Sequence, residues 1–442
     1  MRVLQLSHGH PSFSIGGVEV ASYGLFQGLN RLTEVDAYYL ARVGPPITRH
    51  RETPLMSLRQ GDRETLYFAN DYDHFRLSNR SIDDLAAHLG GFVRDLAPDV
   101  VHFHHVLGFG VESLHLIRKL LPHAAIVLTL HEYLSICHNN GQMIRTVNGG
   151  LCRRSSPAEC AVCFPQLTAA DFMRRDLFLK AAYDCVDAFV SPSRFLMERY
   201  ANWGLDRSRL IFLENGIEAG DIAPPRTLAD DVPRRNRFGF FGQINPFKGV
   251  HLLLEAITRV PAAVWGDDSI LNLYGGNLDV QPQAFQDEFR RLLTAVGPRV
   301  RFFGSYKSHE LPVLMGEVDW VVVPSTWWEN APVVIQESFL HGRPIICSDI
   351  GGMAEKVRHG LDGLHFRTAS VESLVDRLIT AITKPNIWGD LRAHICPPTT
   401  ADAAAVQHVH LYQQLINQRQ NGRGGPAGLT AMDFAGFAVA AE

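Results

Sequence analysis

Along this chain, apolar residues gather in short unbroken runs, and the stretches between those runs show helical spacing. Residues 2–7 (RVLQLS) read as a buried strand. A turn holding Ser14, Ile15, Gly16 and Gly17 follows, and then Val20, Tyr23, Leu25, Leu29 and Leu32 recur at the intervals of an amphipathic helix. The same unit returns at 99–104 (DVVHFH) with a helix near 110–121. It returns again at 125–130 (AIVLTL) with a polar insert and a helix near 168–185, and at 188–191 with a helix from Ser193. Strands that are apolar throughout, rather than at alternate positions, predict a parallel sheet covered on both faces.

The stretch 220–237 carries three prolines, mixed charges and little apolar periodicity, which marks a linker. The strand and helix rhythm then restarts, with strands predicted at 238–242, 270–274, 300–304, 320–324 and 344–348. A last helical pattern covers about 401–418, and the Gly- and Ala-rich residues 419–442 read as a flexible tail in which 432–441 could dock as a short helix. The reading is therefore two α/β domains in tandem.

Composition narrows the function classes. Apolar residues at 46% and charged residues at 20% describe an ordinary globular chain, and 442 residues suffice for two or three domains. A net charge of −4 gives no basic excess for nucleic acid. No run approaches the roughly 18 apolar residues of a membrane span, and no signal peptide is visible, so the expectation is a cytoplasmic protein. Contact through a patch such as Arg174 and Arg175 at the inner face of a membrane is the most it would make of a bilayer. Seven cysteines, an odd number at low density, fit a reducing compartment.

In open parallel sheets the chemistry collects just beyond the carboxyl ends of the strands. Three such segments stand out. In SIGGVE (14–19), Gly16 and Gly17 let backbone approach a ligand at a helix start, or simply make a tight turn. In FGFFGQINPFKG (238–249), Lys248 opposes the dipole of the helix it enters, a placement that helps only when an anion is bound nearby. In PSTWWENAPVVIQESFLHGRP (324–344), Pro332 suits a first helical position and leaves Asn330 to cap. Glu329 and, eight residues on, Glu337 would then share one crevice, where carboxylates can accept hydrogen bonds from sugar hydroxyls. The bland alternative leaves Glu329 complementing the dipole and Glu337 on a solvated face.

These segments do not stand alone. GGVE at 16–19, PDVVHFHH at 98–105, TLHEY at 129–133, SPS at 191–193, ENGI at 214–217, FGQINPFKG at 241–249, LYGG at 273–276, FFGSY at 302–306, ENAPVVIQE at 329–337 and SDIGGMAE at 348–355 appear in that order. With them the chain resembles the retaining nucleotide-sugar glycosyltransferases of family 4, from Arg2 to about Gln418. The resemblance implies the GT-B fold of two facing Rossmann-like domains: an acceptor half at 1–218, with an insert at 134–166, and a donor half at 219–395. A crossover helix at 396–418 would return to the first domain.

It also implies roles. Glu329 would contact the transferred sugar and Glu337 the ribose, while Lys248 would neutralise the leaving group and His131 would lie beside the donor sugar. Backbone from Asn330 through Ala331 and Val333, with Gly16 and Gly17, would cradle the diphosphate. Gly275, Ser305 and Tyr306 would frame the base. Gln243 stands where the family commonly has Arg, which removes one cation from the donor site.

The implied donor is a nucleoside diphosphate sugar, and the acceptor a glycan, a lipid-linked sugar or a small molecule, in surface polysaccharide or glycoconjugate synthesis. No cofactor is required for catalysis, and no Asp-x-Asp metal motif is visible. Rival readings are a sugar-nucleotide epimerase, a glycogen-type phosphorylase, or a degenerate member that binds without turnover.

Two clusters remain. Cys137, Cys152, Cys160 and Cys163 fall within the insert and could hold structural zinc or an iron–sulfur cluster, or be ordinary thiols. Strand alternation sends His102 and His104 to one face and His105 to the other, which argues against a metal triad. His104 and His105 are candidates for the acceptor side.

Overall fold

The computed structural model describes residues 1–14, 16–58, 63–228 and 234–421. Most of the tail read at 419–442 therefore lies outside the described residues. The chain divides into two compact units, Met1–Glu218 with the chain from Thr399 onward, and Ala219–Pro398.

The first unit contains strands β1 (Arg2–Ser7), β2 (Asp36–Val43), β3 (Leu55–Ser57), β4 (Glu64–Phe68), β5 (Tyr72–Asp73), β6 (Ser78–Asn79), β7 (Val100–Phe103), β8 (Ala125–Thr129), β9 (Ala188–Ser191) and β10 (Leu210–Phe212). Eight of them form one sheet in the order β10-β9-β8-β7-β1-β2-β4-β3, parallel except for the edge strand β3, while β5 and β6 make a separate ribbon. Every residue of β7, β8 and β9 is buried, as runs without alternation require.

The last helix, Ala401–Gln420, belongs to this unit for a physical reason. It lays Ala405, Leu411, Tyr412 and Leu415 into the same core as Val3, Leu29, Val100 and Val127. Leu411 is fully buried, so truncation to Ala costs about 2–5 kcal/mol. Arg31 ties the helix further, bonding Asp402 at 2.5 Å and Glu218 at 3.2 Å.

The second unit is an all-parallel sheet of β11 (Arg237–Phe241), β12 (Ile270–Tyr274), β13 (Val300–Gly304), β14 (Trp320–Val323), β15 (Ile345–Ser348) and β16 (Gly363–Phe366), in the order β13-β12-β11-β14-β15-β16. Helices Val250–Arg259 and Val371–Thr383 cover its main core, which is built around Trp265, Trp320, Leu253 and Leu271. The linker is pinned at its described start. The fully buried Arg343 donates to the carbonyls of Met315 and Val318 at 2.9 Å and of Pro224 at 2.7 Å.

Both sheets reverse direction of growth once, between β1 and β7 in the first unit and between β11 and β14 in the second. Loops leaving adjacent strands diverge at such a reversal, and the crevice between them is where ligands sit.

Candidate active site

In the second unit, the loops after β11 and β14 meet at the reversal. After β11 the chain passes Gly242 and a loop whose Asn245 side chain accepts from the backbone N–H groups of Phe247 and Lys248, both at 3.0 Å. This cap folds Pro246–Lys248 into one tight turn and sets Lys248 ahead of the helix Val250–Arg259. The next residue, Gly249, has φ of 70° and lies so close to the Pro324 carbonyl that a Cβ would overlap it. The two loops are thereby pressed together.

Across the gap Lys248 Nζ donates to Glu329 Oε1 at 2.6 Å. The same oxygen accepts from Ser325 Oγ at 2.7 Å and from Trp327 Nε1 at 2.9 Å. Glu329 is buried and Lys248 half-buried. Such a pair persists because three donors satisfy the carboxylate. Its backbone is held from behind, where the Gly352 N–H donates to the Glu329 carbonyl at 2.7 Å and a Cβ at Gly352 would overlap the carbonyl of Asn330. That close approach explains the glycines of SDIGGMAE.

The helix Val333–Leu340 begins one residue later than expected. Pro332 occupies the cap and no side chain caps the helix, so Asn330 does not serve as its N-cap. Proline at that position has set the backbone already, and the loop before it is shaped by the Glu329 contacts instead. Ala331 and Val333 line up at this helix entry, and Glu337 follows on its second turn.

Burial pushes the Glu337 carboxyl from its usual 4.5 up to about 7. Tyr306 lies within its field: burial first, then the Glu337 charge, raises that phenol. Tyr306 packs edge-on to Phe241 with ring centroids 5.8 Å apart. Gly275 N–H donates to the Gly304 carbonyl at 2.7 Å, which knits the loops after β12 and β13 together, and a Cβ at Gly276 would overlap Ser305 Oγ. Gln243 is exposed, with its Oε1 3.5 Å from Asn245 Nδ2.

In the first unit, the carboxyl edge is crowded with imidazoles. His102 is fully buried and bonds Tyr412 OH at 2.6 Å and Thr129 Oγ1 at 2.7 Å. His104 stacks on it at 4.3 Å and places its Nδ1 3.2 Å from His131 Nε2. His105 turns the other way, bonding Glu132 Oε1 at 3.0 Å and tilting against His8. Burial, then the neighbouring histidines, holds His8 and His131 down at about 3 and His102 and His104 well below 6.5. The rings of His8, His102, His104 and His131 are therefore neutral, and the carboxylates of Glu19 and Glu132 stand beside them.

Gly16 is extended, with φ of −146°, and a Cβ there would meet Glu19 Oε2 at 2.7 Å. The glycine makes room for the buried Glu19, which bonds Ser14 at 3.1 Å and His8 at 3.4 Å. Gly17 opens the helix Gly17–Arg31.

A further expectation changes. Arg175 contributes nothing to a surface patch, because it is buried and donates to the carbonyls of Phe75, Ser135 and Leu134 at 2.5–2.6 Å. The four insert cysteines line one cavity, yet as placed no group of three or more His, Cys, Asp or Glu among the described residues is close enough to hold a metal ion. Sequence reasoning missed Ser325, Trp327, Glu19, His8 and Glu132. Of these, Glu19 and Glu132 stood inside the motifs GGVE and TLHEY without being singled out, and Trp327 was half of the Trp pair before ENAP.

Two sheets, each with polar side chains gathered at the reversal on its carboxyl edge, are the architecture of the GT-B glycosyltransferases. The chain belongs to that class through both halves: the description Glycosyltransferase Family 4 matches residues 15–220, and Glycosyl transferases group 1 matches residues 235–384.

Among relatives, a D-inositol 3-phosphate glycosyltransferase of Corynebacterium glutamicum is 31% identical over 207 residues, 44% of this chain and 48% of that protein. The chain thus spans about half the length of this curated relative. In fold it is similar to sucrose-phosphate synthase from Thermosynechococcus elongatus, with a TM-score of 0.68 and 16% identity over 94% of this chain and 100% of that one. It is also similar to Anabaena Alr3699/HepE solved with UDP-glucose, with a TM-score of 0.58 and 17% identity over 95% and 100%. Among the described residues no helix is long and apolar enough to cross a membrane.

Proposed function

We propose that this chain transfers a sugar, with retention of configuration, from a nucleoside diphosphate sugar to a hydroxyl of a glycan, lipid-linked or small-molecule acceptor, as surface polysaccharide or glycoconjugate synthesis requires. The observation that carries the reading is the Lys248–Glu329 pair at 2.6 Å, set at the reversal of the second sheet. A cation there meets the charge that develops on a departing diphosphate, and a carboxylate beside it accepts from sugar hydroxyls. Glu337 would hold the ribose. The UDP-glucose bound by HepE supports a nucleoside diphosphate sugar as the donor class.

In this reading the bond between the anomeric carbon and the diphosphate oxygen breaks, and the acceptor oxygen forms the new bond on the same face. The acceptor proton passes to the departing phosphate. Lys248 stabilises the leaving group, and the neutral rings of His131 and His104 serve the sugar and acceptor hydroxyls. Positioning and electrostatics supply the rate.

The test is a thermal-shift and calorimetric comparison of UDP-, GDP-, ADP- and dTDP-sugars on the wild type and on Glu337→Ala. Binding to the folded state alone must raise the melting temperature. One nucleotide sugar should stabilise the wild type and lose its effect on the variant. No binding at millimolar concentration would overturn the reading in favour of a protein without donor binding.

A further inference from the structure

The insert that leaves the first sheet just after His131 and Glu132 is given no step in the reaction above. It carries little regular structure, one bridge between Ile144 and Leu151 and one short helix, Pro157–Cys163. Cys137, Cys152, Cys160 and Cys163 nonetheless all line a single cavity within it.

Their backbones are fixed around that cavity. Cys137 opens a tight turn closed by the Gly141 N–H, which donates to the Cys137 carbonyl at 3.1 Å, and the backbone amides of Asn139 and Met143 reach the Cys137 sulfur. Met143 also accepts from the Cys152 N–H at 2.7 Å, so a single residue joins the sulfur of the first cysteine to the backbone of the second. Cys160 and Cys163, three residues apart, share one face of the short helix. That helix is tied to the turn by Thr146 Oγ1, which donates to the Cys163 carbonyl at 2.6 Å, and by Arg145 bonding Glu159 at 3.2 Å.

We propose that these four thiols bind one zinc ion as a closed tetrahedral clamp, two ligands coming from the turn and two from the helix. As placed, no three of these sulfurs are close enough together to hold an ion, so binding requires them to move inward from the cavity wall. Four S–H protons pass to solvent as four Zn–S bonds form, leaving a site of charge −2. Arg154 lies on the same cavity wall to offset part of that charge, while Arg145 is paired with Glu159. Amide N–H groups directed at a cysteine sulfur are the contacts that stabilise metal-bound thiolates. A four-sulfur tetrahedral set selects zinc or iron over hard cations. With only a small core around Ile136, Met143 and Ile144, the insert gains further order from such a staple.

The test is metal analysis of the purified full chain, followed by chelator stripping and titration with zinc or cobalt(II) alone. About one zinc per chain is expected, and cobalt should give thiolate charge-transfer and tetrahedral absorption bands. Cys160→Ser should lose both signals, while Cys185→Ser and Cys396→Ser, outside the cavity, should keep them. If Cys160→Ser does not fold, the cobalt titration of the wild type decides alone. Full reactivity of the four thiols with no zinc and no cobalt bands, disulfides among them, or an iron–sulfur chromophore would each overturn the proposal. None of these outcomes bears on the transferase reading.

Discussion

The two sheets share one arrangement of reversal and carboxyl edge, and their edges carry opposite chemistry. In the second unit a single carboxylate oxygen collects Lys248, Ser325 and Trp327, and a second carboxylate, Glu337, is held near neutrality by burial. In the first unit the corresponding edge holds neutral imidazoles bonded to one another, to Thr129 and to Tyr412. Topology decides where a ligand can sit, and the side chains in a few loops decide what it is. A lysine at the second edge suits a diphosphate, and the hydrogen-bonding rings of the first suit hydroxyl groups.

The sharpest way to break this comparison is acid, because the two edges respond to it with opposite sign. His8 and His131 at about 3, His408 of the last helix, stacked on His102, at about 4, and His102 and His104 well below 6.5 all titrate near 6.5 when unfolded. Below pH 6.5 the unfolded chain binds protons that the folded first unit refuses, so its stability falls by about 1.4 kcal/mol per pH unit for each such histidine. Glu337 runs the other way. Between 4.5 and about 7 the folded state keeps a proton that the unfolded state has lost, so this group favours folding as pH drops. Hydrogen exchange at pH 5 should show β7 and β8 losing protection before β11 and β14. Loss in the second unit first would contradict the assignment of these buried histidines as neutral.

Next in size is Lys248→Ala. It strips the charged edge of its cation and leaves Glu329 buried with only Ser325 and Trp327 among these three donors. Turnover with the donor found by thermal shift should fall about 10²–10³-fold, the scale of losing one group that stabilises transition-state charge. A loss under about threefold would remove Lys248 from the mechanism.

Glu337→Gln should separate binding from stability. Above pH 7 the empty variant should be more stable than wild type by about 1–3 kcal/mol, since a charge no longer has to be buried. Donor affinity should drop about tenfold, because hydrogen bonds from ribose hydroxyls to a carboxylate are stronger than those to an amide. Wild-type donor affinity should weaken as pH falls below about 7, and the variant should show no such dependence. Calorimetry across pH 5.5–8.5 reads all three, and equal pH slopes for the two proteins would take Glu337 out of the donor site.

The charged edge was the more legible of the two in the sequence. Unbroken apolar runs such as 125–130 and 320–324 reveal buried parallel strands directly, whereas β2 (DAYYLARV) and β4 (ETLYF) escaped notice because polar atoms interrupt them. Tyr39 in β2 is buried all the same, with its hydroxyl 2.7 Å from Ser22. Ordered motifs with fixed spacing brought out Lys248, Glu329 and Glu337. Trp327 and Ser325 stayed hidden because their target is a carboxylate two to four residues on, in a loop that no periodicity constrains. The edge of the first unit was harder still. His8 follows β1, Glu19 lies in the helix after it and Glu132 follows β8, and nothing local to any one of them signals the others.

The smallest expected effect is also the one that sharpens the comparison most finely. Gln243 is exposed and its amide oxygen lies 3.5 Å from Asn245, so Gln243→Arg gives up almost nothing. It adds a cation to the loop that already presents Lys248. If the second edge works by electrostatic complementarity to a diphosphate, donor affinity should rise about two- to fivefold and fall again as salt is added, since an exposed charge is screened. The melting temperature of the empty protein should not change. An unchanged affinity at low salt would mean that helix starts and Lys248 already saturate the anion. The glutamine would then be a working feature of this chain rather than a missing charge.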